Sequence, residues 1–311
     1  MYKIGIWSLS KHFQNKVFLS IKNNKKIKIN SILTKKKFDK SFRIKKESWF
    51  DNENQFFKNP NFDYVYISSI NSNHYENCKT ALGNKVNVIC EKPICLNETQ
   101  FKKLTQISKL KKKKIFEVNQ YIHHPLFIKI KKILGKNKIG KIINVESAFK
   151  IPLFEKNNFR FNKKLGGGAL IDAGYYPISI MYNLFSSKKV KILKSKIIKK
   201  NGIDLKGNLI SKNENNIIFN LSWGFKSNYE NYIKIVGEKG VIKAKFIFSK
   251  QINQDGEIEI ITQKKEVVKV KKANQINLFF RKVLAADNNY FRNNLKNTQN
   301  ILTIINKLRK K

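Results

Sequence analysis

Val86-Asn87-Val88-Ile89-Cys90-Glu91-Lys92-Pro93 is the stretch whose reading decides the fold. Val86, Val88, Ile89 and Cys90 form the apolar, β-branched run of a strand buried on both faces of a parallel sheet. Pro93 has no amide donor and fixes its own φ, so the strand ends there. Lys92 is thereby delivered to the carboxyl edge of a sheet, where open α/β sheets bind their ligands. A solvated lysine beside a strand-ending proline gives the same three letters, so the surroundings must decide.

Upstream, Lys3-Ile4-Gly5-Ile6-Trp7 reads as a first strand. Phe13, Val17, Phe18 and Ile21 have helical spacing within 13–23, and 27–33 reads as a second strand. A strand-turn-helix-strand of about 30 residues opens a dinucleotide-binding (Rossmann) fold. The turn departs from that pattern. Ser8-Leu9-Ser10-Lys11-His12-Phe13 stands where G-x-G-x-x-G is expected, with all three glycines missing. A Cβ at Ser10 pushes a pyrophosphate away or moves the loop. The hydroxyls of Ser8 and Ser10 and the Lys11 ammonium offer replacement donors at the helix N-terminus. Further on, the acid expected on a ribose is replaced by Thr34-Lys35-Lys36-Lys37, and a lysine suits a 2′-phosphate, favouring NADP over NAD.

The strand at 62–67 runs into Ser68-Ser69-Ile70-Asn71-Ser72-Asn73-His74. Ser68, Asn71 and His74 there are candidates for ribose or nicotinamide contact, and starting the next helix is an alternative role for His74. Helix 98–110 and strand 115–118 complete a first domain, 1–120. After Asn119, Tyr121-Ile122-His123-His124-Pro125 leads into helix 126–134 and strand 141–150. Tyr121 and His124 are candidate substrate contacts. The adjacent histidines are no metal site, because neighbouring residues point apart and no histidine follows. Alternating segments over 188–270 read as meandering antiparallel strands. Helical patterns at 276–296 and 298–310 close the chain. The expected class is α/β: an N-terminal Rossmann domain plus a C-terminal α+β domain, 121–311, with an open, mostly antiparallel sheet.

The formal charge of +43 invites a nucleic-acid reading. Only five of 64 basic residues are arginine, however, and lysine, Asn, Ile and Phe are inflated together while Pro and Gly are scarce. That joint bias is the mark of an AT-rich coding background, with the lysines spread over a solvated surface, so no specific nucleic-acid partner is expected. Cys78, Cys90 and Cys95 lack CxxC spacing and form neither a disulfide framework nor a zinc site. No apolar run reaches the ~20 residues that span a bilayer, and the N-terminus runs straight into a strand without a signal-peptide pattern. A soluble cytoplasmic protein without metal or membrane partner is expected.

A second stretch, Gly166-Gly167-Gly168-Ala169-Leu170-Ile171-Asp172-Ala173-Gly174-Tyr175-Tyr176-Pro177, sharpens the reading. With Glu91-Lys92-Pro93 ending a Rossmann strand and this motif following, the chain resembles the glucose–fructose oxidoreductase / inositol dehydrogenase (Gfo/Idh/MocA) family over nearly its whole length. The resemblance implies NAD(P), a sugar, polyol or related alcohol as substrate, and a homodimer or homotetramer formed through the outer face of the second sheet. It implies that Lys92 and Tyr176 flank the reacting hydroxyl, that Asp172 orients substrate, and that Glu91 and Lys92 adjoin the cofactor. Many members have histidine at the Tyr176 position; the branch resembling dihydrodiol dehydrogenase has tyrosine followed by proline, as here. Asn158-Phe159-Arg160 looks like the family's substrate-side loop. The planar fork of Arg160 suits a carboxylate or a diol, or a surface ion pair.

The chemistry stands without the family. Oxidising an alcohol carbon needs a base for the hydroxyl proton. A free tyrosine titrates near ~10, and an adjacent ammonium such as Lys92 favours the phenolate. Lys92 can also donate to the developing alkoxide. Asp172 and Tyr176 share a face if 170–184 is α-helical. The glycines of the motif let backbone pass close to a ligand. The competing class is a non-catalytic relative whose altered glycine loop leaves the pocket as a sensor or scaffold.

Overall fold

A computed structural model describes residues 1–152, 155 and 158–310. The chain divides into two compact units: Met1–Asn119 with Ile276–Leu302, and Gln120–Gln275 with the chain from Thr303 on. The expected second domain, 121–311, therefore loses 276–302 to the first. Ile276, Phe279, Phe280 and Val283 join the same buried cluster as Ile4, Ile6, Phe13 and Tyr66, an apolar match that no local pattern announces.

In the first unit, β1 (Tyr2–Trp7), β2 (Ile27–Leu33), β3 (Trp49–Phe50), β4 (Tyr64–Ile67), β5 (Asn87–Cys90) and β6 (Ile115–Glu117) form one parallel sheet in the order β3-β2-β1-β4-β5-β6. β4 is buried at every position and β5 at three of four, as strands covered by helices on both faces must be. The order reverses between β1 and β4, which makes a crevice beyond their carboxyl ends. Ser68 Oγ bonds the Ser8 carbonyl across it at 2.8 Å. The helical segment after β1 runs through wide π-type turns, Phe13–Phe18, before Leu19–Ile21.

The second unit carries an eight-stranded sheet. Its strands are β7 (Ile142–Lys150), β8 (Val190–Lys200), β9 (Ile203–Asn213), β10 (Ile218–Gly224), β11 (Glu230–Gly237), β12 (Gly240–Lys245), β13 (Gly256–Ile261) and β14 (Lys265–Val270), ordered β14-β13-β12-β11-β7-β10-β9-β8. Every pairing is antiparallel except β7 with β10. β11 alternates strictly, with Asn231, Ile233 and Ile235 buried and Tyr232, Lys234 and Val236 half-buried, so one face packs and the other meets solvent. Helices Pro125–Gly135 and Tyr175–Asn183 cover the packed face, the first against β13 and β14, the second against β7 and β10.

β8 and β9 are eleven residues each, longer than the segments expected, and join through Asn201-Gly202 with both residues at positive φ. That is the geometry of a two-residue hairpin turn that follows the strands' twist. The C-terminal helices are Gln275–Leu284 and Asn288–Arg309. Their break falls earlier than the periodicity suggests, because Asp287 Oδ1 accepts from Tyr290 N and starts the second helix.

Candidate active site

The carboxyl edge of the first sheet carries the residues singled out from sequence in the first unit. Ser8 stands immediately after β1 with φ of 78°, the left-handed backbone that glycine adopts freely. The turn thus keeps its glycine conformation although the glycine is gone. Its amide is held by Leu33 O and its carbonyl by Ser68 Oγ, which fixes the strained residue from both sides. Ser10 Oγ accepts from Phe13 N at 3.0 Å, so the helix caps one of its own first amides. Lys11 is exposed. These residues fit a dinucleotide: the turn conformation, the crevice and free hydroxyl and ammonium donors are all present. Because the left-handed region costs a residue with a Cβ roughly 1–2 kcal/mol, partly offset by glycine's unfolded-state entropy, Ser8→Gly is expected to stabilise the fold by about 1 kcal/mol. Urea unfolding measures it, and an unchanged or lower midpoint would show that the turn carries no such strain.

Thr34 is buried and its hydroxyl accepts from Lys36 N, closing the turn after β2. Lys35 is exposed, and its ammonium donates to Asp51 O at 2.8 Å. Asn71 is buried in the turn after β4. His74 is buried as well, and its two ring nitrogens lie 2.7 Å from Pro93 O and 2.9 Å from Ser69 O. It clamps the turn after β4 to the turn after β5, a task the sequence reading did not assign it. Burial draws its pKa below the usual imidazole value despite those two carbonyls.

Glu91 and Lys92 follow β5, and the Lys92–Pro93 peptide is cis. Tyr66, on β4, donates its hydroxyl to Glu91 Oε1, and His12 Nε2 lies 3.3 Å from the same oxygen. Burial pushes the Glu91 carboxyl up, but His12, the Tyr66 hydroxyl and Lys92 outweigh it and hold the pKa below the usual value. Glu91 therefore stays an anion, tied to the loop that lost its glycines. His12 and Tyr66 went unread in the sequence. The only signal was a histidine inside the loop motif and a tyrosine one strand from Glu91.

In the second unit, the glycine-rich motif opens a helical segment, Leu170–Gly174 in π-type turns running into Tyr175–Asn183. The four-residue α spacing assumed for Asp172 and Tyr176 therefore does not hold across them. Asp172 is 6% exposed and accepts from Arg160 Nε at 2.5 Å. The two residues read separately as substrate contacts are thus each other's partners. The Arg160 guanidinium also lies 4.9 Å from the Phe159 ring centroid, and Asn158 Oδ1 accepts from Arg160 N. The glycines serve packing within the protein. A Cβ on Gly167 would stand 2.4 Å from Arg160 O, and one on Gly174 would meet the Trp223 ring at 2.9 Å.

Tyr176 is half-buried in a cage of rings, with centroids at 4.8 Å to Phe149, 5.5 Å to Phe248 and 6.1 Å to Tyr121. Tyr121 is fully buried; its hydroxyl donates to Ser179 Oγ at 2.6 Å, which itself donates to Tyr176 O, and accepts from Asn183 Nδ2. Burial pushes its pKa up, so it is a neutral strut under the Tyr176 helix. His124 caps helix Pro125–Gly135 through Nδ1, which accepts from Leu126 N at 3.0 Å. That fixes the proton on Nε2, which is buried without a hydrogen-bond partner among the described residues. Desolvation, with the Lys250 charge nearby, draws the His124 pKa down to about 4 from 6.5.

The unfolded chain thus binds this proton first as pH falls, so stability rises with pH between about 4 and 6.5. The shift amounts to about 3 kcal/mol over that window, with nothing further lost below it. His124→Asn keeps a capping acceptor and removes the titration. Urea unfolding at pH 7 and pH 4.5 is expected to show a drop about 2–3 kcal/mol smaller in the variant. Equal drops would remove His124 from the pH dependence.

Among the described residues no group of three or more His, Cys, Asp or Glu is placed to hold a metal ion. Nor is any helix long and apolar enough to cross a membrane. Cys78, Cys90 and Cys95 are free and buried.

A six-stranded parallel sheet with its switch point at the serine loop, followed by a Gly-Gly-Gly-x-x-x-Asp helix on an open sheet, defines a two-unit dinucleotide-fold oxidoreductase class. Residues 11–120 match the model of an oxidoreductase family with an NAD-binding Rossmann fold, and residues 127–243 match the GFO/IDH/MocA C-terminal domain. The chain belongs to the Gfo/Idh/MocA family. It is 26% identical over 189 residues to a dTDP-3,4-didehydro-2,6-dideoxy-alpha-D-glucose 3-reductase from Saccharopolyspora spinosa, covering 60% of this chain and 57% of that protein. It is also 26% identical over 189 residues to a trans-1,2-dihydrobenzene-1,2-diol dehydrogenase from Xenopus tropicalis, covering 60% and 56%. The matches thus span little more than half the length of these relatives. A 3-ketoreductase from Actinomadura kijaniata, solved with NADP and TDP-benzene, superimposes with a TM-score of 0.91 at 17% identity, covering 99% of this chain and 97% of that one. That likeness is one of fold.

Proposed function

We propose that the chain is an NAD(P)-dependent oxidoreductase acting on a CH–OH or carbonyl group of a sugar or related alcohol. The observation that carries this reading is Lys92 standing at the carboxyl edge of β5, on the edge whose serine loop keeps the glycine backbone conformation. Ser8, Ser10, Lys11, Ser68 and Asn71 would hold the dinucleotide at the switch point, and Thr34 and Lys35 would meet its adenosine ribose. The bound nicotinamide would supply the hydride acceptor or donor. Lys35, exposed where the family's ribose acid would stand, supports NADP over NAD, as does the NADP in the A. kijaniata ketoreductase.

Tyr176 moves the proton at the substrate hydroxyl oxygen, held in position by its cage of rings. Lys92 donates to that oxygen as negative charge develops. Asp172 and Arg160, locked together, would stand beside the substrate hydroxyls, the planar guanidinium suited to a diol. That one relative is a reductase of a dTDP-linked didehydro sugar and the other a dehydrogenase of a diol supports a sugar-like substrate. The three buried free thiols support a reducing cytoplasmic location. Two or four copies would assemble through the outer face of the second sheet, where Ile218 and Tyr232 alternate with the ion pairs Lys234–Glu146 and Lys150–Glu230. Following NADPH absorbance against a panel of keto sugars, and NADP against aldoses and polyols, tests the reading. Turnover of at least one is expected. Cofactor binding without turnover of any would favour a sensor or scaffold.

A further inference from the structure

The triple glycine ends against a carboxylate on another element. Asp204, second residue of β9, accepts from Leu170 N through Oδ2 at 2.5 Å. Leu170 is the first residue of the helical segment that carries Asp172 and Tyr176. Gly168 sits at φ of 118°, and a Cβ there would lie 2.3 Å from Asp204 Oδ1. The carboxylate therefore occupies the space that any side chain at 168 would fill. Backbone bonds continue from the same place: Gly168 O accepts from Asp172 N, and Gly168 N donates to Arg160 O at 2.9 Å. The cap at Leu170 thus holds both the start of the helix and the loop whose arginine pairs with Asp172.

A cation from the far end of the chain acts on this carboxylate. Arg309, in the last turn of helix Asn288–Arg309, acts on Asp204 through its charge, and Asp204 acts back on Arg309. Lys199, opposite Asp204 in the β8–β9 ladder, adds a second cation. Burial pushes the Asp204 carboxyl up, while the Leu170 amide, Arg309 and Lys199 oppose that rise. An anion at a helix start complements its dipole and satisfies an amide that would otherwise be orphaned.

We propose that Asp204 is the positioning residue for the helix that bears Asp172 and Tyr176. It touches neither substrate nor cofactor; it sets where the acid/base tyrosine and the Arg160–Asp172 pair stand. This rests on the assignment of Tyr176 as the proton-transfer group. A misplacement of about 1 Å costs on the order of 10²-fold in rate, so a loosened helix start is read out far from the mutation.

The test uses the full chain labelled with 3-fluorotyrosine, the Tyr176 resonance being assigned by its loss in Tyr176→Phe. Asp204→Ala is expected to shift and broaden that resonance and leave those of Tyr2 and Tyr64, in the other unit, in place. Asp204→Asn, which keeps an acceptor for Leu170 N, is expected to restore most of the wild-type position, and Arg309→Met to move it less than the alanine change. With a substrate in hand, kcat is expected to fall about 10²-fold in Asp204→Ala with NADPH affinity within twofold of wild type. If Asp204→Ala does not fold, Asp204→Ser, too short to reach Leu170 N, carries the same comparison, with Asp204→Asn as its control. A Tyr176 resonance identical to wild type in the folded variant that lacks the Leu170 acceptor would overturn the proposal. A wild-type chain without turnover would overturn the catalytic reading alone, since the resonance reports on position without needing a reaction.

Discussion

Replacing Tyr176 with Phe is expected to lower kcat by about 10²–10⁴-fold, the span over which a positioned acid or base contributes. The substitution removes one hydroxyl and keeps the ring, and the ring is what Phe149, Phe248 and Tyr121 pack around. The cage should therefore survive, and unfolding midpoints should move little. NADPH affinity should stay within about twofold, because the loss belongs to the transition state and not to cofactor binding. Single-turnover absorbance at saturating cofactor separates the two quantities. A rate near wild type would move the acid/base role elsewhere, with Lys92 or His124 next to be changed.

Lys92→Met is expected to cost at least as much, because it takes away the donor to the developing alkoxide. Methionine keeps most of the stem's length and apolar volume, so Pro93 and the His74 clamp on its carbonyl should remain in place. The Glu91 carboxylate loses one of the charges that hold its pKa down but keeps Tyr66 and His12. Combining the change with Tyr176→Phe should lose much less than the product of the single losses, as groups that serve one proton transfer do. Strictly multiplicative losses would mean that the two residues act in separate steps.

Much of this was legible in the residues. The run 86–93 announced a buried parallel strand with a lysine at its ligand edge, and β5 with Lys92 is where it was expected. The alternation over 188–270 announced the open sheet. What periodicity could not show was pairing at a distance. β14, Lys265–Val270, lies within that range but is mostly exposed and heavily charged, and only its ladder with β13 shows where it belongs in the sheet. Residues 276–302 look like any amphipathic pair of helices; only the shape of the first core reveals which unit they complete.

The site divides in the same way. Residue types at the two motifs pointed to the chemistry, yet their partners lay far off in sequence. Arg160 meets Asp172, His74 meets the carbonyl of Pro93, and Asp204 meets the amide of Leu170. The glycines of 166–168 were read as room for a ligand, and the room is filled by Arg160 O and the Asp204 carboxylate. The serine loop misled in the opposite direction. Its missing glycines suggested a moved loop or a repelled pyrophosphate, whereas Ser8 holds the left-handed backbone because Leu33 O and Ser68 Oγ fix it there.

Titrating the purified chain with NADPH and with NADH, and following reduced-nicotinamide fluorescence, tests the central claim most directly. Saturable binding of both is expected, with NADPH tighter by about tenfold, or roughly 1.4 kcal/mol, from the lysine in place of the ribose acid. Binding of neither would contradict the account.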